Sequence, residues 1–401
     1  LITRDTVVRL ASEFRITVKN DEMTVEGGHD AVECRKELLA AFSRLPCTAG
    51  ELLGSLPAPS GCDWMDGCAQ ILALIGAGVL VAGEDEPGSS LSDHGFGYLE
   101  PHIGMIADWT RTQLFIQAIQ RVVRPGDIVL DLGTGTGVLA IAAARAGAAR
   151  VYAVERTAIA DVAAAMFERN GVADRITLIR GHSTAISLPE RAHVLTGELL
   201  GTDPLSERIL EYTADAVKRL LVPGARLAPR KLRLFGRAVE LPESLVARHW
   251  VDRRTADHWA RLYGMDFLAL CDAGRDRSPA FTVKAEDAAH WRFLTASTEL
   301  IEIDLAREPA FPLESNRTAM VTAPGTLSGI VVFWELDLDS ETRLSTDPAS
   351  CRPDCSWGTA VWAMADRPSV RVGQPVQMTF RYAAPRSFAS VRPAADGASR
   401  P

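Results

Sequence analysis

A chain of 401 residues exceeds one ordinary hydrophobic core, so two or three domains are expected. Its 47% hydrophobic and 23% charged residues describe a soluble globular protein. The net charge of -8 argues against broad nucleic-acid binding and leaves room for a cationic substrate or a basic peptide. No apolar run reaches membrane-spanning length and no signal peptide is recognised, so no membrane partner is expected. Seven scattered cysteines read as reduced thiols in a cytoplasm. Cys62 with Cys68, and Cys351 with Cys355, lack zinc spacings and nearby histidines, so no metal site is expected.

In chain order, residues 1–83 begin with alternating strands, Arg15 to Lys19 and Met23 to Glu26, joined at Asn20-Asp21 and broken at Gly27-Gly28. Ala31 to Phe42 has helical periodicity, Thr48 is placed to cap a short helix Ala49 to Leu56, and Asp63 to Gly76 supplies a third helix before Val79 to Val81. The pattern is that of a winged helix-turn-helix. Its acids Asp21, Glu22, Glu26, Asp30, Glu33 and Glu51 make a poor phosphate-binding surface, so no nucleic acid is expected there. Residues 84–97, rich in Gly, Ser, Asp and Glu, read as an exposed linker.

Residues 98–228 carry the most informative stretch, Val129 to Glu155, which reads as strand, glycine turn, helix and second strand ending in an acid. Apolar residues lead into Asp131, and Gly133, Gly135 and Gly137 alternate with threonines, letting the backbone turn sharply and approach a ligand closely. A dinucleotide fold would favour G-x-G-x-x-G facing a pyrophosphate, whereas this turn suits a cofactor without phosphates. Glu155, 18 residues beyond Gly137, is placed to accept both ribose hydroxyls. The cofactor read from this pattern is S-adenosyl-L-methionine, leaving S-adenosyl-L-homocysteine as product. Farther on, Glu198 and Glu207 stand nine residues apart after a strand near His193. From Pro229 to residue 390, short alternating runs such as Leu232 to Phe235 and Gly329 to Trp334 read as a β-barrel-like domain. The tail from Ala383 is rich in Pro, Ser, Ala and Arg, and residues 391–401 are expected to be disordered. The fold class is therefore α/β plus all-β: a Rossmann-like methyltransferase domain, a β-barrel-like domain and an N-terminal winged helix.

Two resemblances sharpen this reading. Thr48-Ala-Gly-Glu-Leu52 and Gly78-Val-Leu80 are similar to the "T-x-x-E-L" and "G-V-L" signatures of PqqD-like recognition elements. Those elements hold the leader of a ribosomally synthesised precursor peptide as an added strand. The pair Glu198 and Glu207, with Gly201 three residues after the first acid, resembles the double-glutamate loop of protein arginine methyltransferases. His102, Met105, Asp108 and Arg111 fall at three-residue intervals like that family's helix over the cofactor. Leu262 to Asp266, Leu344 to Pro348 and Trp357 look like its "Y-G-F-D", "S-T-x-P" and "T-H-W" segments.

This second resemblance implies that Arg111 binds the cofactor carboxylate, that Met105 packs near the sulfonium, and that Ser183 and Thr184 face the adenine. It implies catalytic roles for Glu198, Glu207 and Asp108, and a homodimer built through an arm at about 264–291. Ser356 stands where the family's "T-H-W" histidine would partner Asp108, and Thr184 stands where its adenine-gripping glutamate would be. Loss of that histidine would hurt a guanidinium, with its pKa above ~12, more than an α-amino group near ~8, which favours an amine acceptor. The expected activity is thus S-adenosylmethionine-dependent N-methylation of an amine or arginine nitrogen on a leader-bearing precursor peptide, including aminated termini of the daptide type. The alternatives are a conventional protein or free-arginine methyltransferase with the N-terminal domain used for oligomerisation, and a catalytically decayed peptide-binding module.

Overall fold

The structure is a computed structural model that describes residues 96–274, 279–309, 311–350, 352, 355–384 and 386–394, with shorter stretches between residues 7 and 82. It separates into two compact units, Leu1–Leu99 and Glu100–Pro401.

In the first unit the described strands are β1 (Val7–Leu10), β2 (Arg15–Lys19), β3 (Glu22–Glu26), β4 (Ala31–Cys34), β5 (Cys47–Thr48) and β6 (Leu80–Ala82). They form two antiparallel three-stranded sheets, β5-β1-β6 and β2-β3-β4. Met23, Val25, Phe42, Leu52, Ile71, Leu74, Val79 and Leu80 share one core. One expectation is corrected. Ala31–Cys34 is a strand rather than the start of a helix, with β-branched Val32 paired against Val25. Thr48 pairs with Val7 at the end of β5, and Glu51 and Leu52 beyond it are helical, while most of the short helix expected over Ala49 to Leu56 lies outside the described residues. The turn at Asn20-Asp21, the break at Gly27-Gly28, residues 84–95 of the linker and most of the helix expected over Asp63 to Gly76 lie outside the described residues.

The second unit begins within α1 (Leu99–Ala107), at Glu100, and continues with α2 (Trp109–Val122). Then follow β7 (Ile128–Leu132), α3 (Val138–Arg145), β8 (Arg150–Glu155), α4 (Ala160–Arg169), β9 (Ile176–Arg180), β10 (Ala192–Gly197), α5 (Ile209–Arg219) and β11 (Leu221–Ala228). The strands make a parallel sheet of order β11-β10-β7-β8-β9. Strand β7 is buried almost throughout, and the apolar Ile128, Val129, Leu130 and Leu132 account for that. Chain order reverses between β7 and β10, so a crevice is expected beyond their C-terminal ends. Asp131 and the glycine turn stand at the end of β7, and Glu198 directly follows β10.

The remaining chain is dominated by antiparallel strands: β12 (Lys231–Glu240), then α6 (Glu243–His249), α7 (Arg253–Tyr263) and α8 (Leu268–Gly274). Next come β13 (Ala280–Lys284), α9 (Ala285–Ala289), β14 (Arg292–Phe293), β15 (Thr298–Asp304) and β16 (Leu313–Met320). The last are β17 (Gly325–Thr326), β18 (Gly329–Asp337), β19 (Arg343–Ser345), β20 (Gly358–Ala363), β21 (Ser369–Val370), β22 (Pro375–Ala383) and β23 (Arg386–Pro393). One hydrophobic core joins Phe115, Leu130 and Leu195 of the parallel-sheet domain to Leu232, Trp334, Trp357, Phe380 and Tyr382 of the β domain.

Two boundaries shift. The tail expected to lose order from Ala383 forms β23, which pairs along β22 as far as Val376 with Pro393. Residues 395–401 lie outside the description. Of the arm expected at 264–291, Met265 and Leu270 are exposed beside Leu262 and Tyr263, whereas Ala280–Lys284 pairs with β20 inside the β domain. Among the described residues no helix is long and apolar enough to cross a membrane, and no His, Cys, Asp and Glu group could hold a metal ion.

Candidate active site

The glycine turn is shaped by positive φ values of +66° at Gly133, +55° at Gly135 and +87° at Gly137, which side-chain-bearing residues rarely adopt. A Cβ at Gly137 would lie 2.3 Å from Phe167 Cε1, and one at Gly135 would lie 2.9 Å from His102 Cε1. Beneath the turn, Asp131 is fully buried, and Thr134 donates to its Oδ2 at 2.5 Å. Its Oδ1 is buried without a hydrogen-bond partner. Burial, with a smaller contribution from the nearby Glu155 charge, pushes the Asp131 carboxyl up to about 7. Glu155 ends β8 and ties the turn to it: Oε2 accepts from the Gly135 amide at 3.0 Å, and Oε1 from the Thr157 amide at 2.9 Å.

Helix α2 is capped by Asp108, whose Oδ1 accepts from the Arg111 amide at 3.0 Å. The same carboxylate receives Ser356, its amide at 2.9 Å and its hydroxyl at 3.2 Å, both on Oδ2. The Arg352 guanidinium stands 3.7 Å from Oδ1. Arg111 turns its guanidinium onto Glu198 as an ion pair, donates to the Met105 carbonyl at 3.1 Å and lies 5.2 Å from the Trp357 ring centroid. Its Nη2 also lies 3.4 Å from the Met105 sulfur.

The loop from Glu198 to Glu207 is fastened on several sides. Glu198 Oε1 accepts from the Leu200 amide at 2.8 Å. Trp357 Nε1 donates to the Leu200 carbonyl at 2.7 Å, Trp334 Nε1 to the Gly201 carbonyl at 3.4 Å, and the Gly358 amide to Thr202 Oγ1 at 3.2 Å. A Cβ on Gly201 would meet Ser206 Oγ at 2.4 Å and come 3.3 Å from Glu207 Oε1, which explains why a glycine occupies that position. Beyond β9, Thr184 is exposed and its hydroxyl lies 2.8 Å from His182 Nδ1, while the Ser183 carbonyl accepts from Arg219 at 3.1 Å.

The residues singled out from sequence thus fall into three groups. Asp131, Gly133, Gly135, Gly137 and Glu155 form one cradle. Met105, Asp108, Arg111 and Glu198 are linked to one another by contact, with Glu207 returning to the Gly201 turn. Ser183 and Thr184 stand apart on the loop after β9. Sequence reasoning did not find Trp334, Arg352, Tyr382 or Ser387, which reach the site from the β domain and carry no local motif. The cradle fits an adenosyl cofactor bearing a cation: it has an orphaned carboxylate oxygen, backbone that a side chain would block, and a second acid at the neighbouring strand end.

These features define an S-adenosylmethionine-dependent methyltransferase, and residues 108–226 match the family model "Ribosomal protein L11 methyltransferase (PrmA)". The chain is 32% identical over 283 residues to the "Arginine N(omega)-methyltransferase" of Streptomyces achromogenes subsp. streptozoticus, covering 69% of this chain and 74% of that one. It is 29% identical over 270 residues to "Protein arginine N-methyltransferase 7" of Drosophila persimilis, covering 62% of this chain but only 38% of that protein. Among solved structures, the Trypanosoma brucei PRMT1 enzyme-prozyme heterotetrameric complex with AdoHcy matches with a TM-score of 0.63 at 20% identity, over 74% of this chain and 98% of that one. Arabidopsis thaliana protein arginine methyltransferase 10 matches with a TM-score of 0.60 at 21% identity, over 75% of this chain and 99% of that one. The chain belongs to the arginine N-methyltransferase family. It is an N-methyltransferase whose cofactor is S-adenosylmethionine.

Proposed function

We propose that this chain methylates a guanidinium nitrogen of arginine carried on a peptide. The observation that carries the reading is the ion pair of Glu198 with Arg111 against Trp357, which shows a carboxylate able to hold a guanidinium beside an aromatic face directly after β10. Bound there, S-adenosylmethionine supplies the electrophilic methyl group. Asp131, Glu155 and the three glycines would hold its amino-acid and ribose parts, Met105 its sulfonium side, Ser183 and Thr184 its adenine, and Arg111 its carboxylate. Glu198 and Glu207 then hold the acceptor by charge-assisted hydrogen bonds and orient one nitrogen for in-line transfer. Asp108 acts on the chain itself: it caps α2 and, with Ser356, fixes the approach of Arg111.

The finer reading is that the first unit, as a winged-helix recognition element, recruits the leader of a precursor peptide. Its support is the similarity of Thr48 to Leu52 and Gly78 to Leu80 to the recognition-element signatures, on a unit that contains the antiparallel β2-β3-β4 sheet. Tethering raises the local concentration of the modified residue. A second reading, an amine acceptor, is favoured by Ser356 standing in place of the relay histidine. Mass spectrometry of S-adenosylmethionine reactions with candidate precursor peptides, each with and without its leader, decides among these. Leader-dependent methylation localised to arginine is expected. Methylation localised to an amine sinks the guanidinium reading, leader-independent methylation of an arginine-rich control protein sinks the tethering, and no turnover on any acceptor points to the decayed binding module.

We also propose a homodimer, from the exposed Leu262, Tyr263, Met265 and Leu270 on and beside α7 and α8. Sedimentation is expected to show a dimer at working concentration, and a monomer there would refute it.

A further inference from the structure

Two polar side chains of the β domain, and the two carboxylates they meet in the glutamate loop and α5, take no part in holding cofactor or acceptor. Tyr382, fully buried, donates from Oη to Glu211 Oε1 at 2.8 Å. Ser387 donates from Oγ to Asp203 Oδ1 at 2.7 Å. Tyr382 and Ser387 are direct partners across the β22–β23 hairpin, so both side chains leave it on the same face. Their acceptors bracket Glu207 evenly, with Asp203 four residues before it and Glu211 four residues after.

Between those anchors the chain is held in a conformation it would not choose alone. Arg208, immediately after Glu207, has φ 58° and is the only non-glycine with positive φ among the described residues. Asp203 closes the turn before it, its carbonyl accepting from the Ser206 amide at 3.1 Å and from the Ser206 hydroxyl at 2.8 Å. Glu211 sits in the first turn of α5, and its Oε2 is buried without a partner, so the Tyr382 hydroxyl is what holds this carboxylate. Burial and the Glu211 charge push the Tyr382 hydroxyl far above its usual range, so it stays a donor at every working pH. Burial likewise pushes the Asp203 carboxyl up, and the Ser387 hydroxyl opposes that rise.

We propose that the β22–β23 hairpin is a positioning device for the catalytic loop, in which Tyr382 on Glu211 and Ser387 on Asp203 set the direction of Glu207. This inference rests on the reading that Glu198 and Glu207 hold the acceptor nitrogen. Neither Tyr382 nor Ser387 touches a reacting atom. They act on the two ends of the turn that aims Glu207, and an aim wrong by an ångström is enough to slow transfer severely.

The test compares Tyr382→Phe, Ser387→Ala, Glu211→Gln and Glu198→Gln in the full chain. Methyl transfer is measured on the acceptor that the wild-type chain modifies, and S-adenosylhomocysteine affinity is measured by calorimetry. Tyr382→Phe and Ser387→Ala are each expected to lower kcat about 10-fold while cofactor-product affinity stays within about two-fold. Glu211→Gln keeps an acceptor for the Tyr382 hydroxyl and should retain about half of kcat or more. The double variant Tyr382→Phe/Ser387→Ala should lose less than the product of the single losses, because both act on one turn. Unchanged kcat in both single variants, alongside an inactive Glu198→Gln, overturns the positioning role alone. Equal falls in kcat, cofactor-product affinity and melting temperature also overturn it, since they mark a merely structural contact. An active Glu198→Gln instead overturns the reading of the glutamates beneath it.

Discussion

Glu198→Gln is expected to lower turnover by about 10³-fold while the chain still folds and still binds S-adenosylhomocysteine. Glu198 is mostly buried, its side chain 8% exposed, and it sits between the Leu200 amide and the Arg111 guanidinium. Loss of one charged hydrogen-bond partner of the reacting group in a water-poor site removes roughly 3–4 kcal/mol of transition-state stabilisation, which corresponds to about 10²- to 10³-fold in a rate. Glutamine keeps the shape and one acceptor oxygen, so the loss reports the missing charge rather than a collapsed loop. Glu207→Gln should behave alike, and the two together should lose little more than one alone if they grip one nitrogen-bearing group. Steady-state kinetics with calorimetric cofactor-product binding checks this. A Glu198→Gln variant retaining more than about a tenth of wild-type kcat would show that the carboxylate does not hold the acceptor.

The cradle was legible in the sequence because its chemistry is local. Glycines are demanded where φ is positive, an apolar strand leads into Asp131, and an acid ends the next strand, all within 27 residues from Val129 to Glu155. The glutamate loop was legible only in part. Gly201 could be placed by its spacing, but the reason for it, the crowding by Ser206 and Glu207, is a matter of three-dimensional return of the chain. The contacts of Trp334 with Gly201 and Tyr382 with Glu211 span 133 and 171 residues, and no periodicity in a window of a dozen residues can report them.

The misread elements have the same origin. Helical periodicity runs through Ala31–Cys34, yet Val32 gains more from pairing beside Val25 than a four-residue helical start would offer. The Ala383 tail has the composition of a disordered segment, but the buried Ala389 and Val391 alternate with polar Ser390 and Arg392 in the strand that completes the hairpin. There the partner strand, rather than composition, decided the outcome.

Asp131 carries the last expected result, a pH dependence with a definite sign. Its carboxyl titrates at about 7 in the folded chain because burial disfavours the charge, against 3.8 ordinarily. Between those values the folded state keeps the proton that the unfolded state has released, so stability falls as pH rises from about 4 to about 7 and is level above. The full span is worth roughly 4 kcal/mol. Asp131→Asn cannot ionise, so its melting temperature should exceed wild type at pH 8 and lose this slope. Cofactor binding should move the opposite way. A cation placed at the unpartnered Oδ1 favours the ionised carboxylate, so the affinity for S-adenosylmethionine should be about tenfold weaker at pH 6 than at pH 8, with proton release seen in buffers of different ionisation enthalpy. Asp131→Asn should bind weakly at both pH values and release no proton. If wild-type affinity is level from pH 6 to pH 8, or Asp131→Asn keeps the wild-type slope, the cofactor cation does not meet this carboxylate.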